Sequence, residues 1–342
     1  MRKIINLFFF LLGSLLKSQI HPGVNQLNIS HLIDGQEVIR TVYVKTPMNF
    51  SLNNIYPIVF VFHGGGGSGE HFLHSGFFNF LTDSKEFIGI YPNGYSDNPD
   101  DIGGHWNLGN EPSSADDLEF VDLIFQEIES FSFINFDKVF AIGMSNGAGM
   151  VNLLGKSRSY FDGIAPLFSQ QLVTIGELET LYESLKVFQV VGQNDESIPI
   201  NGGISFNGEF MSAINSAQNW AENLNCDISY ITEENIFLGS TDFYSTTYTA
   251  CNNSHSEIKS LVAINTGHNW NNPQTEIAVL EEIWNFFNTS HLEINKIQSQ
   301  TRKIVSVFDI LGRECSTPIY NLLYFYLYSD GSFEKKIIVD EN

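Results

Sequence analysis

Along most of the chain, short continuous apolar runs alternate with stretches whose apolar residues fall three or four positions apart. PIVFVFHGGGG (57–67), FIGIYPNG (87–94), KVFAIGMSNG (138–147), FDGIAPLF (161–168), LKVFQVVG (185–192) and IKSLVAIN (258–265) are of the first kind. Runs of this length belong to strands buried on both faces of a parallel sheet. DLEFVDLIFQEIESF (117–131), EFMSAINSAQNWAENL (209–224) and TEIAVLEEIWNFFN (275–288) carry the helical period. RTVYVKTP (40–47) alternates instead, which predicts a half-buried strand of an edge hairpin within residues 20–56. Strands and helices in strict turn predict an α/β fold, a mostly parallel central sheet with helices on both faces.

Both ends depart from this rhythm. Arg2 and Lys3 precede a mainly apolar run over residues 4–16, followed by Lys17-Ser18-Gln19. A charged start, a short apolar middle and a small residue before the expected cut read as a signal peptide over residues 1–18. The run is shorter than the roughly 20 apolar residues a spanning helix needs, and no other stretch reads as a membrane span. The expected location is extracellular or on the outer cell surface. From about residue 290 a polar linker, HLEINKIQSQTRK, leads to IVSVFDILGRE, NLLYFYLYSDG and SFEKKIIVD, which read as three short strands. So short a tail buries little core. Residues 291–342 therefore read as a linker and small β module beside a main domain over residues 20–290.

Of 342 residues, 43% are hydrophobic and 16% charged, which predicts a packed core. With 17 Lys+Arg against 39 Asp+Glu the formal net charge is −22, and no basic cluster lies outside the two ends. That excludes a nucleic-acid binder, which needs a basic footprint. It favours neutral or weakly charged substrates. In an oxidising compartment Cys226 and Cys251, separated by one strand-like segment, could close a loop of moderate size, whereas Cys315 stands apart.

The candidate chemistry starts at Gly143-Met144-Ser145-Asn146-Gly147, a G-x-S-x-G pattern with a strand (VFAI) running in and a helix (AGMVNLLG) running out. That context makes Ser145 a nucleophile on a sharp strand-to-helix turn. A serine hydroxyl needs a base, and the chain order in such sites is serine, acid, histidine. His268 follows the strand IKSLVAIN through Thr266-Gly267, where the base belongs. His255 precedes that strand, His291 falls in the linker, and His105 lies upstream. Asp195, in the loop after LKVFQVVG, is the expected acid, with Glu196 as its neighbour and competitor. The developing oxyanion needs two donors. They are expected from the Asn146 N–H and from His63-Gly64-Gly65-Gly66-Gly67, with Gly65 favoured and Gly66 second. His63 reads as a residue that orients this loop. No Gly-Lys-Ser/Thr follows, so a phosphate-cradling loop is ruled out. His71 and His74 have the spacing of a metal pair but no third ligand, and read as structural. Asp116-Asp117 read as carboxylates capping a helix. No metal or other cofactor is expected.

Together these segments resemble a family of secreted esterases that includes polyhydroxybutyrate depolymerases, LpqC-like proteins, and the feruloyl and acetylxylan esterases of carbohydrate esterase family 1. The resemblance covers about residues 35–290. It rests on FHGGGGSG (62–69), YPNG (91–94), HWN (105–107), DDLEFVDLI (116–124), GMSNGAGM (143–150), GQND (192–195) with Pro199, NWAENLNC (219–226), Cys251 and GHNW (267–270). It implies an α/β-hydrolase fold with Ser145 as nucleophile, Asp195 as acid and His268 as base. It also implies a Cys226–Cys251 disulfide and a substrate cleft at Trp106, with His63 and Trp270 beside it. Two departures concern the shape of that cleft: no cysteine pair follows Trp106, and Asn271 stands where a proline often follows the tryptophan. The tail, DILGRE (309–314) with YFYLYSDGSFEKKII (324–338), resembles C-terminal sorting domains of the type IX secretion system, which implies that machinery as a partner.

The resulting expectation is a secreted serine carboxylic ester hydrolase. Its substrates would be esters on or from polymers, either feruloyl or acetyl groups on plant polysaccharide or a polyhydroxyalkanoate. A peptidase or thioesterase on the same fold would differ in its leaving-group pocket, and residues 95–115 are too irregular to read one. An inactive exported binding protein would have no use for a strained serine.

Overall fold

The computed structural model describes residues 20–289, apart from 75–76, 99, 102, 110–112, 181–183 and 206–207, and also 304–309, 313–315, 323–328 and 333–337. The expected export segment, His291 and the polar linker lie outside the described residues. The described residues fall into two compact units divided after Ser290.

In the first unit the elements follow in this order: β1 (Val24–Ile33), β2 (Gln36–Lys45), β3 (Tyr56–Phe62), α1 (Gly69–His74), α2 (Phe77–Lys85), β4 (Ile88–Pro92), α3 (Asp117–Ile128), β5 (Ile134–Met144) and α4 (Asn146–Ser157). Then come β6 (Gly163–Leu167), the single turn α5 (Val173–Gly176), β7 (Lys186–Gly192), the small hairpin β8 (Gly203–Ser205) and β9 (Gly208–Phe210), α6 (Ala213–Asn223), β10 (Ile231–Leu238), β11 (Thr241–Tyr248), β12 (Glu257–Ala263) and α7 (Pro273–Asn288). Ten strands form one sheet in the order β1-β2-β4-β3-β5-β6-β7-β12-β11-β10. Its centre, from β4 to β12, is parallel. The β1–β2 edge is the expected antiparallel hairpin, turned at Asp34-Gly35 with both φ positive (49° and 77°). A two-residue hairpin turn that matches strand twist needs that conformation.

The continuous apolar runs have the predicted cause. In β3, Ile58, Phe60 and Phe62 pack into one core layer and Val59 and Val61 into the other. The first layer takes Phe120, Val121 and Ile124 of α3, Met150 and Leu154 of α4, and Trp220 of α6. The second takes Leu73 of α1, Leu81 of α2 and Val279, Leu280 and Ile283 of α7. Each such fully buried side chain contributes roughly 1.5–3 kcal/mol.

Two expectations are corrected. The segment between Cys226 and Cys251, read as a single strand, is the antiparallel pair β10–β11 added to the edge of the sheet. β10 is exposed along nearly its whole length, so burial imposes no apolar pattern on it. The helix expected over 209–224 begins at Ala213, because Ser212 caps it by accepting from the Asn215 N–H and residues 208–210 pair as β9. Cys226 and Cys251 are disulfide-bonded.

In the second unit β13 (Ile304–Asp309), β14 (Leu323–Tyr328) and β15 (Phe333–Ile337) form a three-stranded antiparallel sheet, with Tyr324 and Tyr326 buried. No described helix is long and apolar enough to cross a membrane.

Candidate active site

Ser145 joins β5 to α4 with φ 57° and ψ −118°. A non-glycine residue in that region is strained by about 1–3 kcal/mol and is held only by its surroundings. Here the surroundings are tight. A Cβ on Gly143 would sit 2.2 Å from the Gly147 carbonyl oxygen, and one on Gly147 would sit 2.3 Å from that of Phe62. Both positions must be glycine for the turn to close. The Ser145 N–H donates to Leu167 O at 2.9 Å, which ties the turn to β6.

β7 and β12 are parallel neighbours, so the loops after them emerge side by side. Asp195 comes from the first and His268 from the second. His268 Nε2 lies 2.8 Å from Ser145 Oγ, and its Nδ1 lies 2.7 Å from Asp195 Oδ2. Asp195 is buried, and its other oxygen accepts from the Ser197 and Ile198 N–H groups at 2.9 and 2.8 Å. Glu196 points to solvent. The two loops are also joined directly: Asn194 N donates to Thr266 O and Gln193 N to Ala263 O, at 2.8 and 2.9 Å. His255 precedes β12 and so lies at the far end of that strand from His268.

Gly65 and Asn146 face each other across the mouth of the site, since a Cβ on Gly65 would be 3.6 Å from Asn146 Cβ. The Asn146 N–H is the first amide of α4 and has no acceptor in its own helix. His63 is fully buried and holds the glycine loop. It accepts from the Gly94 N–H at 2.8 Å through Nε2, and its Nδ1 lies 2.7 Å from Gly64 O. Burial pushes its pKa down to about 4, so the ring is neutral near neutral pH.

These groups open onto a cavity of about 480 Å³, lined by Gly65, His105, Leu108, Ser145, Asn146, Ser169, Ser197, Ile198, Phe210 and His268. Three residues expected to contact a ligand do not line it. His63 and Trp106 are fully buried, and Trp106 donates its indole N–H to His63 O at 2.8 Å. Both shape the site from beneath. Trp270 lines a separate cavity of about 260 Å³ beside Phe72, Met144 and Glu276, and its ring packs on Phe168.

Asp116 caps α3 by accepting from the Glu119 N–H, as expected of a helix-opening carboxylate. Asp117 has another task. It is fully buried, lies 2.7 Å from Arg40 Nη1, and accepts from the Asn107 N–H at 2.7 Å. Arg40 also donates to Asn93 O at 2.8 Å, so this ion pair pins both ends of the loop that carries His105 and Trp106. Burial raises the pKa of Asp117, with the Arg40 charge opposing it. A lone arginine in an alternating strand gave no sequence signal for this pairing. Among the described residues no group of three His, Cys, Asp or Glu is arranged to hold a metal ion.

The chain matches no known family profile. Over 197 residues it is 25% identical to a probable feruloyl esterase C of Aspergillus clavatus, covering 56% of this chain and 65% of that one. It is 26% identical over 196 residues to feruloyl esterase B of Piromyces equi, covering 55% of this chain and 36% of that one. The chain thus spans less than two thirds of the length of these curated relatives. Among solved structures, an acetyl xylan esterase from Aspergillus awamori superposes with a TM-score of 0.54 at 15% identity, over 77% of this chain and 99% of that one. At that identity the likeness speaks for the fold alone. The first unit has the α/β-hydrolase fold, with its large, mostly parallel sheet covered by helices on both faces.

Proposed function

We propose that this chain is a serine carboxylic ester hydrolase acting on polymer-linked esters, such as the feruloyl or acetyl esters of plant polysaccharide. The observation that carries the reading is the continuous chain of hydrogen bonds from Asp195 through His268 to Ser145, opening on a cavity beside the Gly65 and Asn146 amides. The esterase names of the curated relatives support the substrate class.

In this reading Ser145 Oγ attacks the ester carbonyl while His268 Nε2 takes its proton. The tetrahedral oxyanion receives hydrogen bonds from the Gly65 and Asn146 N–H groups. His268 then returns the proton to the leaving alcohol, and an acyl-Ser145 ester remains. Water attacks that ester with His268 again as base. Collapse releases the acid and restores the serine hydroxyl. Asp195 holds the Nδ1–H tautomer and stabilises the imidazolium throughout.

The residue 1–18 segment serves as an export signal and the tail as an address for a type IX secretion route, which delivers the enzyme to the outer surface or beyond. The Cys226–Cys251 disulfide agrees with an oxidising compartment. The test is hydrolysis of p-nitrophenyl acetate, methyl ferulate, acetylated xylan and a polyhydroxybutyrate film by the full chain and by Ser145→Ala. Activity abolished by the substitution is expected, with the polysaccharide-type esters preferred over the polyester film. Equal rates from both proteins, or none on any ester, would overturn the reading.

A further inference from the structure

We propose that the Asn146 side chain is a positioning group that locks the two halves of the oxyanion hole together through Trp106. The proposal rests on the acyl-transfer reading above and gives both side chains a task that reading does not assign.

The two donors of the hole come from segments far apart in sequence, Gly65 after β3 and Asn146 at the start of α4. They act together only if their spacing is held to within about half an ångström. A third segment, residues 103–107, bridges them. The Asn146 carboxamide pairs with both backbone groups of Trp106: Trp106 N donates to Oδ1 at 2.7 Å, and Nδ2 donates to Trp106 O at 3.1 Å. The Trp106 indole N–H then reaches His63 O, two residues before Gly65, at 2.8 Å. On the other side of Gly65, Gly66 N donates to Gly104 O and Gly104 N donates to Gly67 O, each at 2.9 Å. Gly65 is therefore braced from both sides by the segment that Asn146 grips.

Two facts make this pairing specific. Asn146 is 7% exposed and Trp106 not at all, so water does not compete and each bond is directional. A carboxamide also supplies one acceptor and one donor in the order that a residue's own N–H and C=O require. Aspartate has the same shape but would turn a second acceptor toward Trp106 O.

The test uses the full chain carrying Asn146→Asp or Trp106→Phe. The second variant introduces no charge and keeps an aromatic ring; it removes the indole donor from the brace together with part of the buried ring volume packed on Phe62 and His63. Steady-state kinetics on p-nitrophenyl acetate are read beside amide hydrogen exchange of residues 64–67. Complete loss of an oxyanion donor costs about 10²–10³ in kcat, so a displaced donor is expected to cost about 10–100-fold. KM is expected to stay within about threefold, because the hole grips the transition state more than the bound ester. Exchange at residues 64–67 should quicken in both variants. The double variant should lose no more than the worse single one, because both cut the same circuit. An unchanged kcat, a loss expressed in KM, or unaltered exchange in both variants would overturn the proposal. A wild-type chain that cleaves no ester would sink the acyl-transfer reading, while the exchange measurement would still decide whether the brace exists.

Discussion

One oxygen of Asp195 is already committed: Oδ1 accepts from the Ser197 and Ile198 N–H groups, which leaves Oδ2 for His268 Nδ1. An asparagine at this position must keep its carbonyl oxygen toward those two donors, because turning its NH₂ to them would oppose donor to donor. Its NH₂ then faces His268 and selects the tautomer with hydrogen on Nε2, which cannot take the Ser145 proton. Asp195→Asn is therefore expected to lower kcat by about 10⁴ with little change in melting temperature, checked by steady-state kinetics and thermal unfolding. His63 gives a second prediction. Burial holds its folded-state pKa at about 4, against about 6.5 for an ordinary histidine. Between these values the unfolded chain takes up a proton here and the folded chain does not, so stability falls as the pH drops through that window. The gap corresponds to about 3 kcal/mol. Glu276, raised by burial to about 7, has the opposite sign: the folded chain keeps its proton, and its contribution fades as the pH rises from 4.5 toward 7. Comparison with His63→Gln cancels the Glu276 effect. Denaturant unfolding at pH 7 and pH 4 should find the stability loss about 3 kcal/mol smaller in the variant.

At the scale of elements, the base and the acid are brought together by the parallel pairing of β7 and β12 and by the glycine at the end of β7. A Cβ on Gly192 would lie 2.1 Å from Gly267 O and 2.6 Å from Thr266 O, both in the loop that presents His268. Gly192→Ala must push the two loops apart. It is expected to cost about 2 kcal/mol, and to lower kcat at least tenfold as the Asp195–His268 contact lengthens, read by thermal unfolding and steady-state kinetics. The sequence carried the strands that matter here because both faces of each must be apolar: every core residue of LKVFQVVG is buried. It also carried the chain order of Ser145, Asp195 and His268, since each follows a strand whose end can be read. It did not carry β10, whose residues face solvent, nor the Arg40–Asp117 pair, whose partners are 77 positions apart in the numbering (117 − 40) and follow no local period. Trp106 was misread for a related reason. Its place at the cleft was what the family resemblance implied, and only the positions of His63 O and Asn146 reveal that it is buried between them.

Across the whole molecule, all the groups assigned to the proposed reaction lie in the first unit, on the central parallel strands and their loops. The β10–β11 hairpin lies apart from them, at the end of the ten-stranded sheet. Exposed along nearly its whole length, β10 draws little stability from burial, and an open strand edge invites pairing with other chains. The disulfide answers the first weakness. Cys226 follows α6 and Cys251 follows β11, so the bond closes the whole hairpin at its base, across a sequence separation of 25. Closing a loop of that length in the unfolded chain removes entropy worth about 3 kcal/mol. The formal charge of −22 answers the second by keeping chains apart. The two effects separate experimentally. The paired substitution Cys226→Ala with Cys251→Ala is expected to lower stability by about 3 kcal/mol while kcat at low temperature stays within about twofold, because no catalytic contact crosses the hairpin. Adding 0.5 M salt should then raise aggregation of this variant more than that of the parent, since screening shortens the reach of charge repulsion to a few ångströms. A loss of kcat matching the loss of stability would instead mean that the hairpin supports the His268 loop through β12.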